Sequence, residues 1–280
     1  MDSNVFLIVL LVTIMHAVWN GMVKKHPDKV VAVSGVVFGH VPCSIIVIIF
    51  LPTVSIECIP YIIASAIIHQ GYQWYLLSSY QIGDLTTVYP IARGSGPLIA
   101  TLISILVLGI VLDYLIILSI CLICLGIMFL GFYDQRSNKN SKIIQYSLFT
   151  GFFIGLYSLT DGYGARVSLS AFSYISWSFI LNAILFSLIL KIKKHDNVFK
   201  KIRTKGKQIF WVGGTLSFAI YGIVVWAFTK APIPMVGTLR ETSIFFSIFI
   251  GYFFLKEKIT SVKIVSIILI LVGVIGLKIF

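Results

Sequence analysis

The amino-acid sequence predicts an all-α integral membrane protein in which ten transmembrane helices form two inverted five-helix repeats. The first observation is composition: 58% of the 280 residues are apolar and only 11% are charged. Soluble domains are usually about 45–50% apolar and about 25% charged. The second observation is a series of apolar runs that are each long enough to cross a bilayer. The third is that the chain resembles itself at a fixed offset, which indicates an internal repeat.

This composition excludes a water-soluble enzyme, a disordered chain and a nucleic-acid-binding domain. The net charge of +12 does not favour a nucleic-acid partner, because the basic residues lie in short segments between the apolar runs. The lipid bilayer is therefore the expected surrounding of the chain.

The apolar runs follow one another with short breaks that mostly carry proline, glycine or charged residues. Each run is too long and too uniformly apolar for a β-barrel strand. The first run has its basic residues after it rather than before it, so we expect a retained helix and not a cleaved leader. The longest break, 191–207, is too short for a soluble catalytic domain. The runs lie near 5–23, 30–51, 59–79, 86–109, 112–132, 143–165, 170–190, 208–229, 235–255 and 261–279.

The placement of lysine and arginine predicts the orientation of these helices. Seventeen of the 22 lysine and arginine residues lie in the segments after helices 1, 5, 7 and 9, and three lie on the opposite side. Cytoplasmic loops are enriched in lysine and arginine. We therefore expect these four segments in the cytoplasm and both termini outside the cytoplasmic (inner) membrane.

Two offsets relate the first half of the chain to the second. Because each half holds five helices, an odd number, the second half must be inverted in the membrane, as in many secondary transporters. The predicted repeats are residues 1–133 and 143–280, with a substrate site near the midplane between them. At an offset of 147, Arg93 meets Arg240, Ser119 meets Ser266 and Gly126 meets Gly273, and at 141, Asn20-Gly21 meets Asp161-Gly162.

The end of the chain carries the most specific motif. It reads Leu255-Lys256-Glu257-Lys258-Ile259-Thr260, with Gly273 following in the last helix. This resembles the closing pattern of the EamA-type ten-helix transporters of the drug/metabolite transporter superfamily, which is Leu-x-Glu-x-(Leu/Ile)-Thr with a glycine in the last helix. The first half departs from the pattern, since Ile110 stands where the family often has the glutamate.

Two further stretches, 89–94 and 239–242, are similar to one branch of that superfamily. Some members of the branch are associated with phosphonate or amino-compound metabolism. The resemblance also implies termini in the cytoplasm, which is opposite to the orientation that the charge count predicts. We keep the charge count because it comes from this sequence.

Four ionisable side chains fall inside predicted spans: Arg93, Asp161, Arg240 and Glu241. An ionisable group at bilayer depth is costly, so it usually faces a partner or water. Two arginines and two acids balance, which leaves two interpretations. Either they form two structural ion pairs that lock the halves together, or an arginine binds substrate, since its planar guanidinium suits a carboxylate or phosphonate.

Polar and aromatic side chains at membrane depth complete the candidate site. His16 and Asn20 share a helix face at i and i+4, and Tyr157 and Asp161 occupy the repeat-related positions. Belt aromatics at the water interface and ordinary packing are the alternatives, and His40 and His69 are predicted to be packing residues. The candidate substrate-binding residues are His16, Trp19, Asn20, Gln70, Gln73, Trp74, Tyr89, Arg93, Tyr157, Asp161, Tyr221, Arg240 and Glu241.

The function that these patterns predict is secondary transport of a small polar or zwitterionic metabolite by alternating access. The substrate would be an amino acid, an amine or an organophosphonate-like compound. The chain has no Walker A motif, so ATP is not the direct energy source. Protons could couple through Asp161 or Glu241, and uniport, exchange or export down a gradient fit equally well.

The alternative function is a flippase for a modified lipid or a lipid-linked headgroup. An enzyme is not expected, because the histidines are dispersed and no catalytic or metal-ligating cluster is visible. No cofactor is expected either. The sequence is compatible with a monomer or a homodimer, because the Gly151 and Gly155 pair indicates close helix packing either within the bundle or between protomers.

Overall fold

A computed structural model describes residues 1–134, 140–195, 197–246, 248–249 and 260–280, without the side chains of residues 18–25, 85 and 134. The described residues are 86% helical and contain no strand, so the all-helical prediction is confirmed for them. The helices are α1 (Ser3–Lys25), α2 (Lys29–Phe50), α3 (Ile59–Ile82), α4 (Leu85–Leu106), α5 (Tyr114–Asp134), α6 (Ser141–Val167), α7 (Ala171–Ile192), α8 (Val198–Lys205), α9 (Gly214–Phe228), α10 (Ile233–Glu241) and α11 (Ser261–Ile279). A 3₁₀-helix (Ile56–Cys58) precedes α3, and a π-helix (Ile209–Gly213) leads into α9.

Six apolar segments in the described residues are long enough to cross a membrane, so the chain is a multi-pass membrane protein. They are α2, α5, α6, α7, the combined π-helix and α9, and α11. Helices α3 and α4 have similar lengths of 24 and 22 residues, but glutamines in α3 and Arg93 with two prolines in α4 make them more polar. The remaining predicted spans stay predictions.

The sequence predicts one continuous helix for the ninth apolar run, 235–255, but the structure shows a break within it. Helix α10 ends at Glu241, Thr242 forms a turn, and the chain is helical again at 243–246. The Thr242 hydroxyl donates to the Leu239 carbonyl at 2.6 Å, and the Thr242 amide donates to the same carbonyl at 3.2 Å. Irregular backbone at membrane depth is tolerated where protein surrounds it, and Thr242 is buried.

Side-chain caps begin at least six of the described helices, among them α2, α7 and α11. The Asp28 carboxylate accepts from the Val31 amide at 3.1 Å and begins α2, and the Ser170 hydroxyl accepts from the Ser173 amide at 3.3 Å at the start of α7. Thr260 does the same for α11. Each cap satisfies an amide that the first helical turn leaves without a partner.

The basic segment 191–207 contains a short amphipathic helix that the sequence did not predict. Val198 and Ile202 of α8 are buried, whereas Phe199 and the lysines around it are exposed. Lys201 on this helix forms an ion pair with Asp28 at 3.0 Å.

The described chain divides into two compact units, each built from segments of both sequence halves. The first unit comprises Met1–Ala17, Tyr72–Leu159 and Ala231–Phe280, and the second comprises Val18–Gly71 and Thr160–Lys230. The predicted repeats, residues 1–133 and 143–280, describe a similarity within the sequence, whereas the two units describe contacts in the structure. The division into repeats therefore stays a prediction.

In the first unit, α5 packs against both α4 and α11. Helix association in lipid depends on close van der Waals packing, which small residues allow. A Cβ atom on Gly273 would lie 2.7 Å from the Ser119 carbonyl oxygen, and one on Gly126 would lie 3.1 Å from the Ser266 carbonyl oxygen. The buried core beside this contact includes Ile120, Ile123, Cys124, Ile127, Met235, Ile244, Ile270 and Leu277.

The Gly151 and Gly155 pair packs within the first unit, against α4. A Cβ atom on Gly151 would lie 2.8 Å from the Ala92 carbonyl oxygen, and one on Gly155 would lie 2.9 Å from the Gly96 carbonyl oxygen. This pair therefore brings α4 and α6 together inside the chain.

In the second unit, α2 packs against α7 and α9. Gly39 and Gly214 face each other so closely that a Cβ atom on Gly214 would lie 2.6 Å from the Gly39 Cα atom. This approach brings the backbones of α2 and α9 together, and His40, next to Gly39, stacks on Phe179 of α7.

Candidate functional site

The first unit contains a buried cluster of two arginines and one glutamate. Arg240 donates to Glu241 Oε1 from Nε at 3.0 Å and from Nη2 at 2.7 Å. Arg93 of α4 places its Nε 2.8 Å from the other oxygen, Oε2, of the same carboxylate. The carboxylate at the end of α10 therefore bridges two guanidinium groups.

Burial makes the charge of this cluster important. Glu241 is fully buried, Arg240 is 2% exposed and Arg93 is 7% exposed. One carboxylate opposite two guanidiniums leaves one positive charge in a region that solvates charge poorly. The arrangement is therefore suited to an additional anionic group.

Arg93 also contacts a histidine and a tyrosine in the same unit. Its Nη2 lies against His16 Nε2. Because a guanidinium only donates, the histidine nitrogen must accept, and the ring is neutral in this contact. The Tyr89 ring lies 5.3 Å from the Arg93 guanidinium carbon, within the range of a cation–π contact.

Tyr157 of α6 extends the aromatic surroundings of the first unit. It is buried, and Tyr72 of α3 meets its ring edge-on at 5.5 Å between centroids. Gln73 is 3% exposed, and its Oε1 has no hydrogen-bond partner among the described residues. Trp74 is 39% exposed, which resembles a lipid- or interface-facing aromatic more than a binding residue.

The second unit contains a buried carboxylate with different partners. The Tyr174 hydroxyl donates to Asp161 Oδ1 at 3.1 Å, and the Tyr221 hydroxyl donates to Oδ2 at 2.6 Å. Asp161 and Tyr174 are fully buried. Tyrosine hydroxyls thus bind Asp161 within its own unit, whereas both arginines contact Glu241. Among the described contacts, the four buried ionisable residues therefore do not form two separate arginine–acid pairs.

Two buried histidines, His40 and His69, lie in the same unit. His69 lies edge-on to the Tyr221 ring at 6.3 Å between centroids, and its Nδ1 is 2.9 Å from the Ser65 carbonyl oxygen. His40 stacks on Phe179 at 4.1 Å between centroids. Neither ring nitrogen of His40 has a hydrogen-bond partner among the described residues, although the side chain is only 6% exposed.

The amide of Gln70 binds to α7 rather than remaining isolated. Its Nε2 donates to Asn182 Oδ1 at 2.6 Å and to the Ala66 carbonyl at 3.1 Å. Asn182 is 2% exposed. The sequence-based expectation that a mid-span glutamine needs a partner therefore has a structural counterpart here.

The structure places the predicted site residues in two groups, one in each unit. The side chains of Trp19 and Asn20 lie outside the described residues. Sequence analysis missed several residues that contact the candidate site residues or their neighbours. Single tyrosines, phenylalanines and asparagines in an apolar run are common packing residues and carry no motif. The missed residues are Tyr72, Tyr174, Phe179 and Asn182. The first-unit group contains His16, Gln73, Trp74, Tyr89, Arg93, Tyr157, Arg240 and Glu241, and the second-unit group contains Gln70, Asp161 and Tyr221.

Comparison with known proteins identifies the family. A protein of known crystal structure has 12% sequence identity to this chain and a TM-score of 0.70, over 99% of this chain and 96% of that one, which establishes a shared fold. No curated protein matches the sequence. Residues 141–279 match the model of the EamA-like transporter family. The chain therefore belongs to the EamA-like transporter family, which is part of the drug/metabolite transporter superfamily of small-molecule membrane transporters.

Proposed function

We propose that the protein is a secondary transporter of a small polar or zwitterionic metabolite across the cytoplasmic membrane. Transport proceeds by alternating access, with two inverted five-helix repeats exposing the substrate to each side in turn. Among amino acids, amines and organophosphonate-like compounds, those with an anionic group fit the first unit best. The observation that carries this proposal is the buried Arg93–Glu241–Arg240 cluster, with its one surplus positive charge.

The geometry of the arginines suits a carboxylate or a phosphonate. A guanidinium offers parallel N–H donors that match two oxygens of one planar or tetrahedral anion. Arg240 already uses Nε and Nη2 in such a forked contact with Glu241. A substrate anion would use the same type of contact.

Space beside the cluster supports the same proposal. Gly237 is buried in α10, yet a Cβ atom placed on it would meet, among the described residues, no atom within 4 Å beyond its chain neighbours and the backbone of its own helix. Gly237 and Glu241 are four residues apart, so they share one face of α10. Open space therefore adjoins the face that carries the glutamate.

Competition for the arginines gives the substrate a means to change helix contacts. Arg93 belongs to α4 and Glu241 to α10, so their ion pair joins two helices of the first unit. An anion that binds Arg93 displaces Glu241 and loosens this connection. A ligand shifts a conformational equilibrium only through contacts that differ between the two states, and this exchange of partners is such a difference.

The test is uptake into proteoliposomes of a panel of radiolabelled amino acids, aminophosphonates and polyamines, with and without an inward proton gradient. Wild type is compared with Arg93→Lys and Arg240→Lys, which keep the charge but lose the planar fork. Arg203→Lys, on exposed α8, is the matched control. The proposal expects saturable uptake of an anion-bearing compound, with a raised KM only in the two cluster variants. No uptake of any panel compound, or an equal KM in all variants, contradicts it.

A further inference from the structure

We propose that Asp161 is the carboxyl group that takes up and releases a proton during transport, whereas Glu241 stays ionised. This inference rests on the proposed function and names its coupling ion. The two buried acids have different partners, and these partners determine which acid has a stable neutral form.

Glu241 is held by partners that suit only its ionised form. Both of its oxygens face guanidinium nitrogens, Oε1 at 2.7 Å and Oε2 at 2.8 Å. A guanidinium has donors and no acceptor, so neither arginine can accept a hydrogen bond from a carboxyl hydrogen on Glu241. Protonation would also leave two buried arginines without a counter-charge. A proton carrier needs a stable neutral form, and the Glu241 contacts do not provide one.

Asp161 is held by partners that suit both forms. The Tyr221 hydroxyl lies 2.6 Å from Oδ2 and the Tyr174 hydroxyl lies 3.1 Å from Oδ1. A phenol hydroxyl donates to a carboxylate and accepts from a carboxylic acid. The same contacts can therefore remain in place when Asp161 gains or loses its proton.

The other titratable and charged groups near Asp161 come from each helix around it. Helix α7 contributes Tyr174, α9 contributes Tyr221, and α3 contributes His69, whose ring lies against Tyr221. On α6 itself, Arg166 lies more than one turn further along, where its Nε donates to the Phe228 carbonyl at 2.9 Å. Within the second unit, the Asp161 carboxylate thus accepts from two tyrosine hydroxyls, which are neutral at the pH of a cell.

The proton step is a simple transfer that needs no further reactant. A proton from water on one side of the membrane binds Asp161 Oδ2, and the Tyr221 hydroxyl changes from donor to acceptor. Release to water on the other side restores the carboxylate and the donating hydroxyl. The neutral form removes a negative charge from membrane depth, which lowers the cost of a conformational change around it.

Infrared difference spectroscopy of the purified protein in lipid tests this assignment without any substrate. The C=O stretch of a protonated carboxyl group is followed during a pH titration of wild type, Asp161→Asn and Glu241→Gln. We expect one buried carboxyl band to be missing from Asp161→Asn and present in Glu241→Gln. The same band in Asp161→Asn, or its loss in Glu241→Gln alone, overturns the proposal.

Tyr221→Phe covers the case in which Asp161→Asn does not fold. It keeps the carboxyl group and removes one hydrogen bond, so we expect the band to shift in frequency and remain. An unshifted band overturns the proposal. Because the infrared measurement does not require transport, it tests the Asp161 assignment even if no compound of the panel is transported. Where a compound is carried, Asp161→Asn should lose uptake driven by a proton gradient; retained gradient-driven uptake also overturns the proposal.

Discussion

At the scale of single residues, the two buried acids differ in the charge of their partners. Glu241 bridges Arg93 and Arg240, and Asp161 accepts from two tyrosine hydroxyls. Removing one member of a buried ion cluster leaves the others uncompensated, which is far more destabilising than losing a surface pair. Glu241 is therefore a structural counter-ion, and in the proposed transport cycle it also competes with the substrate anion.

The first prediction concerns Glu241→Gln. Loss of this carboxylate should destabilise the protein by about 3–5 kcal/mol, because two buried guanidiniums lose their counter-charge. Thermal unfolding of the purified protein measures this effect. The control is Asp113→Asn, an exposed acid whose contact with the Leu115 amide an asparagine can keep. Equal melting temperatures for both variants would show that Glu241 does not compensate the arginines.

Among the candidate site residues, those that carry charge at membrane depth are the easiest to predict from the sequence. Arg93, Arg240 and Glu241 stand out because burying them is costly, and the structure brings them together in one unit. Tyr174 and Asn182 do not stand out, because a neutral polar side chain in an apolar run is equally suited to packing. Only the fold shows that they contact Asp161 and Gln70.

At the scale of helices, α5 and α11 pack through two pairs of repeat-related positions. Gly126 approaches Ser266, and Gly273 approaches Ser119. The offset of 147 relates Gly126 to Gly273 and Ser119 to Ser266, so each contact is the counterpart of the other. Reciprocal contacts of this kind are what a two-fold relation between repeats predicts.

The second prediction tests the close approach at these glycines. Gly273→Ala should lower the melting temperature more than Gly126→Ala, because its Cβ atom would lie 2.7 Å from a backbone oxygen rather than 3.1 Å. Gly237→Ala is the control, since its Cβ atom meets open space and alanine favours helix by about 0.8–1.0 kcal/mol over glycine. A melting temperature for Gly273→Ala at or above that of Gly237→Ala would contradict the packing described.

The third prediction concerns the connection between α8 and α2. Partial burial alone would raise the pKa of Asp28, but the Lys201 side chain and backbone amides bind its ionised form and lower the pKa overall. A carboxyl group with a lowered pKa stabilises the fold above its ordinary pKa and loses that contribution as the pH falls through the folded-state value. The contribution is small, because both side chains are substantially exposed.

Asp28→Asn keeps the helix cap and removes the charge. Its melting temperature should therefore be slightly below that of wild type near neutral pH, and the difference should vanish in acid, below the ordinary aspartate pKa of 3.8. The measurement is a series of thermal unfolding curves from neutral pH to acid. A difference that grows as the pH falls would contradict the sign of the lowered pKa.

At the scale of the whole molecule, composition and apolar runs predict the all-helical membrane class because both follow directly from the bilayer as solvent. The break after Glu241 was not predicted, because the run 235–255 is long enough for one span even though the polar stretch Arg240-Glu241-Thr242-Ser243 interrupts it. The two compact units were not predictable either, because each combines segments that are far apart in the sequence.

The fourth prediction concerns orientation in the membrane. The charge count places the segment around α8 in the cytoplasm and the segment before α5 outside. In a cysteine-free background, Asp113→Cys should react with a membrane-impermeant maleimide in intact cells, whereas Lys200→Cys should react only after permeabilisation. The reverse pattern would place both termini in the cytoplasm instead.

In the proposed transport mechanism, the buried arginines bind an anionic group of the transported compound. The most direct measurement compares two compounds that differ only in that group, an amino acid and its decarboxylated amine, as competitors of uptake in proteoliposomes. The transported member of the panel serves as the labelled compound. We expect the amino acid to compete better than its amine in wild type and in Arg203→Lys. We expect Arg93→Lys and Arg240→Lys to lose this preference. An unchanged preference in both cluster variants would contradict the claim.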